Sequence, residues 1–359
     1  MQADRSDKYL TPEEVLGAER LKRLGQLPRL IGPLDELTDG AVHIEANTNI
    51  VTPLQGARLE RSGDITPETP WTYAKLNNGK YLFIDKVPPN LGDPNSFAAL
   101  VIPPVHMGLI SWWLMHAWRF VELAEDCLLS LGRWNINTGA ALARTLVEEV
   151  GCMLYESRKI ASQWSDVKAL SAKEAPLAIY ESLRPLLAKF RLGNRELAHL
   201  APVEAISVLT YIDKLMKLPG LGGIRNNYDW LTNVIHPAIG SRLVYLGQPM
   251  VHFSEAVTEV RLSRRPTSAG GKSCELEFPT AHTIADTLLS ITPIGARLLW
   301  ESLSVVDDFG LTTKSYRLTL RTYWRQLRHR SSQADCPCGC GPWKRNQHRW
   351  GGCAPEIRF

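Results

Sequence analysis

The fold class is decided by a long apolar run, His106 to Leu131, which is HMGLISWWLMHAWRFVELAEDCLLSL. Apolar residues recur in it at helical spacing, and a second such run follows Asn135-Ile136-Asn137-Thr138 and extends to about Trp164. Two long helices joined by a short turn are expected to pack antiparallel. We therefore predict a mainly α fold with a helical bundle-like body.

Helix start and stop signals continue on the C-terminal side of this pair. A capping-box pattern opens at Ser171, and a glycine-rich break follows Pro219. The predicted helices run from Ser171 to about Phe190, between Pro202 and Pro219, from Tyr228 to about Ile235, and from about Thr283 onward. Val and Phe alternate between residues 242 and 278, which predicts a small β insertion of two or three strands.

Residues 1–105 are expected to be irregular, with one short helix and one hairpin. Thr11 can cap a helix that has proline at its first position, Pro12. Asn78-Gly79 lies between two β-prone runs and predicts a hairpin turn. Five prolines between Pro88 and Pro104 predict a segment that wraps over a neighbouring surface.

These patterns divide the chain into four parts. An N-terminal segment (1–105) precedes the helical body (106–310), which contains the possible β insertion at 242–278. A basic amphipathic helix (311–333) and a cysteine-rich tail (334–359) follow.

Composition and charge limit the class of protein. The chain has 359 residues, of which 44% are hydrophobic and 22% charged, so a folded core is expected. The N-terminus has no apolar signal segment, and prolines, histidines and Arg119 interrupt the apolar stretch from Ala98 to Phe120. We expect a soluble cytoplasmic protein. Residues 261–359 hold 15 Lys and Arg against 8 Asp and Glu, which favours an acidic partner for that part.

The tail is rich in metal-binding side chains. Thiolate and imidazole donors separated by glycine and proline suit a tetrahedral Zn²⁺, which would supply the folding free energy of so small a module. The candidate ligands are Cys336, Cys338, His348 and Cys353, with Cys340 as a substitute.

This run resembles the SEC-C motif, a small zinc module at the C-terminus of the SecA translocation ATPase and of other bacterial proteins. Cys336 and Cys338 match the first ligand pair, and His348 matches the final ligand. Gln347 stands where the motif has its third thiolate, and Cys340 replaces a serine. The resemblance implies a zinc-dependent docking element, with Cys353 or Cys340 completing the ligand set.

A basic stripe precedes the tail. Its five cations are spaced 3, 4, 4 and 3 residues apart, which places them on one side of a helix, and no acid occurs between Leu311 and Ala334. Cations at this spacing repel one another, and the phosphates of a nucleic acid would relieve that repulsion. Two tryptophans of the tail could stack on unpaired bases. The predicted nucleic-acid contacts are Lys314, Arg317, Arg321, Arg325, Arg328, Lys344, Arg345, Arg349, Trp343 and Trp350. An amphipathic helix that meets an acidic surface of the same chain is the alternative.

The body is loosely similar to bacterial HEPN-like helical proteins over about residues 106–245. The similarity rests on Arg144 with Glu148 and Glu149, and on the segment from Tyr228 to His236-Pro237. HEPN ribonucleases use an arginine and a histidine with four to six residues between them, and they cleave RNA without a metal ion. That spacing is not cleanly present here.

The resemblance implies a small set of catalytic candidates, namely His236, His199, Arg195, Arg225 and Glu148. His236 lies eleven residues after Arg225, whereas Arg195 and His199 are four apart. The structural alternatives are a buried ion pair of Arg144 with Glu148 and Glu149, which sets the helix register, and a helix-ending histidine before Pro237.

The expected function is binding of a nucleic acid, RNA more than DNA, or of a ribosome, by a zinc-containing protein of bacterial type. One alternative is a HEPN-like, RNA-cleaving toxin or phage-defence effector. Another is an adaptor whose zinc tail docks a protein partner. No membrane partner is expected, and the oligomeric state is open.

Overall fold

The structure is a computed structural model. It describes residues 8–40, 50–62, 71–75, 79–85, 93–193, 205–237, 241–242, 244–252, 258–265, 267–268 and 278–314. Its helices are α1 (Pro12–Leu16), α2 (Ala18–Leu24), α3 (Pro28–Thr38), α4 (Pro53–Ser62), α5 (Pro94–Gly132), α6 (Ile136–Lys168), α7 (Ala175–Ala178), α8 (Arg184–Leu192), α9 (Val208–Leu215), α10 (Ile224–Ile235) and α11 (Pro279–Thr313). A π-helical turn, Ile179–Leu183, joins α7 to α8. The predicted mainly α fold is confirmed.

Three long helices, α5, α6 and α11, contact one another and form the centre of the molecule. Their facing sides bury large side chains such as Trp113, Phe120 and Phe309. The Trp113 indole donates to the Leu299 carbonyl at 2.8 Å, which ties α5 to α11 in the core. Helices α9 and α10 cover α6, whereas α3 lies against α5.

Helix α5 begins twelve residues before the predicted start at His106. Asp93 caps it by accepting from the backbone N–H groups of Asn95 and Ser96, and Pro94 occupies its first position. The helix continues through Pro103 and Pro104. The predicted wrapping segment is therefore wrong from residue 94 onward, and the boundary at 105/106 falls inside α5.

Other predicted elements differ from the structure mainly at their ends. Thr11 and Glu14 form the complete capping box of α1. Ser171 and Glu174 are hydrogen-bonded, yet α7 begins only at Ala175. Helix α11 continues past Gly310 to Thr313 and is capped by Lys314 in the left-handed conformation (φ 57°), so the boundary at 310/311 also falls within a helix.

In the described part of the chain, seven short strands form three small sheets outside the helical centre: β1 (Lys8–Tyr9), β2 (Ile50–Val51), β3 (Trp71–Lys75), β4 (Tyr81–Asp85), β5 (Leu246–His252), β6 (Thr258–Leu262) and β7 (Thr267–Ser268). Strands β3 and β4 form the predicted antiparallel hairpin, and β2 adds to its edge. Strands β5 and β6 pair antiparallel within the predicted β insertion, and β7 pairs with β1.

One described helix, α5, is long and apolar enough by length and composition to cross a membrane, and 44% of its most apolar window is buried inside the structure. This burial is consistent with a helix in the core of a soluble protein.

Candidate functional site in the helical core

A cluster of buried polar side chains lies where α5 faces α6. His116 of α5 is 13% exposed, and both of its ring nitrogens meet carboxylates of α6. Nδ1 lies 2.5 Å from Glu149 Oε1, and Nε2 lies 3.0 Å from Glu156 Oε2. The edge of the imidazole faces the Trp112 ring, with 5.1 Å between ring centroids. The ring is thus fixed in both position and orientation.

Each carboxylate is held by a further donor. Arg119 Nε lies 2.9 Å from the second oxygen of Glu149. The Trp112 indole donates to Glu156 Oε2 at 2.6 Å. Glu149 and Glu156 are 6% and 4% exposed, so these donors satisfy carboxylates that water scarcely reaches.

The two carboxylates determine the protonation of His116. Burial by itself would lower the pKa of the imidazole, but the hydrogen bonds and negative charges of Glu149 and Glu156 outweigh it and raise the pKa to about 9. Without a bound metal, His116 is therefore a cation at neutral pH.

Cys152 brings a thiol to the same cluster. It lies one helical turn before Glu156, and its Sγ donates to Glu156 Oε1 at 3.2 Å. Burial, followed by the negative charges of Glu156 and Glu149, raises the pKa of this thiol. Tyr211 of α9 hydrogen-bonds Cys152. Burial, followed by the charges of Cys152 and Glu156, raises the pKa of the Tyr211 hydroxyl as well. Both groups are neutral at physiological pH.

Three of these residues have the composition of a metal site. The ligand atoms of His116, Cys152 and Glu156 all lie within 4.8 Å of one another. A nitrogen, a sulfur and an oxygen donor at this separation could hold a metal ion. Cys127 and Cys152 are both free thiols, but only Cys152 belongs to the cluster.

A second polar cluster connects α6 to α10. Tyr228 donates its hydroxyl hydrogen to Glu148 Oε1 at 2.9 Å, and Arg144 pairs with the same oxygen at 3.1 Å. The Arg144 guanidinium also lies 5.4 Å from the centroid of the Tyr228 ring. Arg144 and Glu148 are 28% and 26% exposed, and Glu149 belongs to the His116 cluster, so this arrangement is a half-buried contact between helices and differs from the buried ion pair of the structural alternative.

The described catalytic candidates do not meet in one site. Arg225 is held by Asp229 at 3.1 Å and Asp213 at 3.7 Å, on the exposed side of α10. His236 is exposed at the C-cap of α10, eight residues after Tyr228 and so roughly 12 Å along the helix axis from the Glu148 cluster. Arg195 and His199 lie outside the described residues.

Of the predicted nucleic-acid and zinc residues, only Lys314 is described, as the cap of α11. The others lie outside the described residues: Arg317, Arg321, Arg325, Arg328, Trp343, Lys344, Arg345, Arg349 and Trp350 for nucleic acid, and Cys336, Cys338, Cys340, His348 and Cys353 for zinc.

Sequence reasoning missed the His116 cluster although it carries a recognisable signal. Glu149, Cys152 and Glu156 are spaced 3 and 4 residues apart, which places all three on one side of a helix. That side of α6 would be expected to be apolar, because α6 is a core helix. Their partner His116 lies 33 residues before Glu149, and this pairing follows only from the packing of α5 on α6.

Comparison with known proteins assigns the chain to no group, since no family model, curated protein or solved structure matches it.

Proposed function

We propose that this is a zinc-containing protein that binds nucleic acid, RNA in preference to DNA, through the basic segment that begins at Lys314. The observation that carries the proposal is the change in charge where the helical body ends. Up to Thr313, the last residue of α11, the chain holds 31 Lys and Arg against 35 Asp and Glu. From Lys314 onward it holds 10 Lys and Arg against 2 Asp and Glu.

A phosphate backbone is the partner that suits this segment. Cations at helical spacing repel one another unless a polyanion relieves them, and phosphates do so with release of counterions. Trp343 and Trp350 lie among the tail cations and can stack on unpaired bases, which favours single-stranded RNA or exposed ribosomal RNA over duplex DNA. The corresponding location is the cytoplasm.

The described body favours binding over cleavage. Arg225 is engaged by two aspartates, Glu148 is engaged by Arg144 and Tyr228, and His236 lies apart at the helix end. A ribonuclease needs its arginine and histidine on one phosphate. Among the described residues, Arg225 and His236 do not meet at one site.

Zinc is the metal we propose for the tail. Cys336, Cys338, His348 and Cys353 are its ligands, as the SEC-C resemblance and the donor chemistry imply, with Cys340 as the substitute. The zinc-bound tail positions the neighbouring cations for the nucleic acid.

The test is the salt dependence of RNA binding. Changing Arg317, Arg321 and Arg325 together to Gln should weaken binding to single-stranded RNA. It should also make the slope of log affinity against log salt shallower by about 2, or 0.7 for each lost phosphate contact. Fluorescence anisotropy at several salt concentrations measures both quantities.

A matched control removes the same charge from the body. Arg158→Gln, Lys159→Gln and Lys173→Gln change three exposed cations of the described helical part and should leave the slope as it is. Equal slopes in the wild type and the first triple variant would refute nucleic-acid binding through this segment and would favour the adaptor alternative.

A further inference from the structure

We propose that His116, Cys152 and Glu156 form a second metal site, in the helical core, which takes one divalent transition-metal ion of the zinc type. The site is separate from the tail and does not depend on nucleic-acid binding.

The spacing of the donors fits such an ion. Nε2 of His116 lies 3.0 Å from one oxygen of Glu156, and Sγ of Cys152 lies 3.2 Å from the other. A tetrahedral ion with bonds of about 2.0 to 2.3 Å separates its ligand atoms by about 3.3 to 3.7 Å. The ligand atoms of all three residues lie within 4.8 Å of one another, so shifts of about 1 Å at the ends of the side chains bring them to this separation.

The surrounding groups orient the ligands as the outer partners of metal ligands do. Glu149 accepts from Nδ1 of His116, which leaves Nε2 facing Glu156. Arg119 fixes Glu149, and Trp112 fixes the ligand oxygen of Glu156. A carboxylate behind a histidine ligand is the usual arrangement at protein metal sites.

The donor set selects the class of metal. Mg²⁺ and Ca²⁺ prefer oxygen ligands, whereas a mixture of imidazole, thiolate and carboxylate suits Zn²⁺ and Co²⁺. The ion replaces the proton on Nε2 and the proton on Sγ, and the resulting thiolate and carboxylate balance its two positive charges. Three protein ligands leave a fourth position, which the Tyr211 hydroxyl or an added small ligand can fill.

A salt-bridge network alone gives a weaker account of these residues. It explains His116, Glu149 and Glu156, but it does not need a thiol within hydrogen-bonding distance of the same carboxylate. Cys127, which is fully buried between α5 and α6, donates instead to the Gly139 carbonyl at 3.4 Å. It therefore serves as an internal control.

The experiment uses the full chain with the tail thiols removed by Cys336→Ser, Cys338→Ser, Cys340→Ser and Cys353→Ser, and Co²⁺ as the probe. This protein should bind one Co²⁺ with the thiolate charge-transfer band and the intense visible absorption of a tetrahedral site. Zn²⁺ should displace the ion, and Mg²⁺ should not. Adding Cys152→Ser should abolish the charge-transfer band, whereas adding Cys127→Ala should keep it.

A variant that leaves all three proposed ligands in place separates an effect on metal binding from an effect on folding. Glu149→Gln should lower the Co²⁺ affinity about 10- to 100-fold while the shape of the spectrum is retained. Circular dichroism should show that each variant keeps its helical content. A folded parent without the band, a band that survives Cys152→Ser, or an affinity unchanged by Glu149→Gln would overturn the core site.

The outcome is independent of the proposed function. RNA binding is measured on the zinc-loaded chain with its tail cysteines intact, with and without Cys152→Ser. Since the core cluster lies outside the basic segment, Cys152→Ser should leave the RNA affinity of that chain unchanged. Loss of the core site and loss of RNA binding are therefore observed separately.

Discussion

His116 is the residue on which the core cluster depends. Its two ring nitrogens face different carboxylates, so the side chain can either hold a proton between them or present Nε2 to a metal ion. In the metal-free protein it holds the proton, because Glu149 and Glu156 stabilise the imidazolium against the cost of its burial. The same geometry thus stabilises the metal-free core and supports the proposed metal site.

The protonation of His116 predicts how stability depends on pH in the presence of a chelator. The folded state holds this proton up to about pH 9, whereas an unfolded histidine releases it near pH 6.5. The contribution of this proton to the free energy of unfolding is therefore fully present below about pH 6.5 and is lost as the pH rises through 9. The free energy of unfolding falls by about 3 kcal/mol at most through this loss. Urea unfolding from pH 6.5 to 9.5 measures it.

Glu149→Gln provides the comparison for this pH dependence. The variant keeps the shape of the side chain but removes one of the charges that raise the pKa of His116, so its stability should fall less steeply over the same pH range. Because Glu149 also raises the pKa of the Cys152 thiol, the comparison is made with Cys152→Ser in both proteins, and the remaining titrating groups then contribute equally to both. Parallel curves with and without Glu149→Gln in this background would show that His116 does not carry the effect.

At the scale of elements, α6 has polar groups on three of its sides although it is a central helix. Arg144 and Glu148 face α10, whereas Glu149, Cys152 and Glu156 face α5 and α9. Near its C-terminal end, Lys168 pairs with Asp308 of α11 at 2.7 Å. Each neighbouring helix therefore meets α6 through a specific polar contact as well as through apolar packing, which fixes its position along the axis.

Helix α11 packs against α5 and α6 with no room for a side chain at Gly295, and this predicts the effect of one added methyl group. A Cβ at Gly295 would overlap the Phe120 ring and would lie 2.8 Å from Val150 Cγ2. Gly295→Ala should lower the free energy of unfolding by about 1 to 3 kcal/mol through overpacking. Gly132→Ala is the control, since a Cβ there meets nothing within 4 Å, and it should be neutral or slightly stabilising. Equal effects of the two variants in thermal unfolding would contradict this packing.

The sequence predicted the helical body well but misplaced the start of α5, and the reason is local. Pro103 and Pro104 cannot donate to the carbonyls of Ala99 and Leu100, so the pair was interpreted as a break. Ala99 and Leu100 are exposed in the structure, which lets their carbonyls reach water and lowers the cost of the prolines. The core site was not predicted, because the distance between His116 and α6 is set by packing rather than by sequence spacing.

At the scale of the whole molecule, the predicted metal ions belong to two separate parts of the chain. The proposed tail site would hold one through Cys336 and its partners, and the proposed core site would hold the other through Cys152. Elemental analysis of zinc-loaded protein should find two ions per chain in the wild type, one in Cys336→Ser, one in Cys152→Ser and none in the double variant. Cys340→Ser should keep both ions.

The number of zinc ions in each variant tests the two sites separately. Since Gln347 stands where the SEC-C pattern has its third thiolate, the remaining ligand is Cys353 or Cys340, and Cys340→Ser distinguishes them. Loss of one ion in this variant would place Cys340 in the ligand set instead of Cys353. An unchanged count in Cys336→Ser would refute the tail site, whereas an unchanged count in Cys152→Ser would refute the core site.

The position of α11 late in the chain has a consequence for biosynthesis. Helices α5 and α6 bury much of their apolar surface against α11, yet roughly 150 residues separate the end of α5 from the start of α11. At about 5 to 20 residues per second, a ribosome needs roughly 7 to 30 s to translate that distance. During this interval the nascent chain exposes one of its most apolar helices, and it should be most dependent on chaperones at this stage of its synthesis.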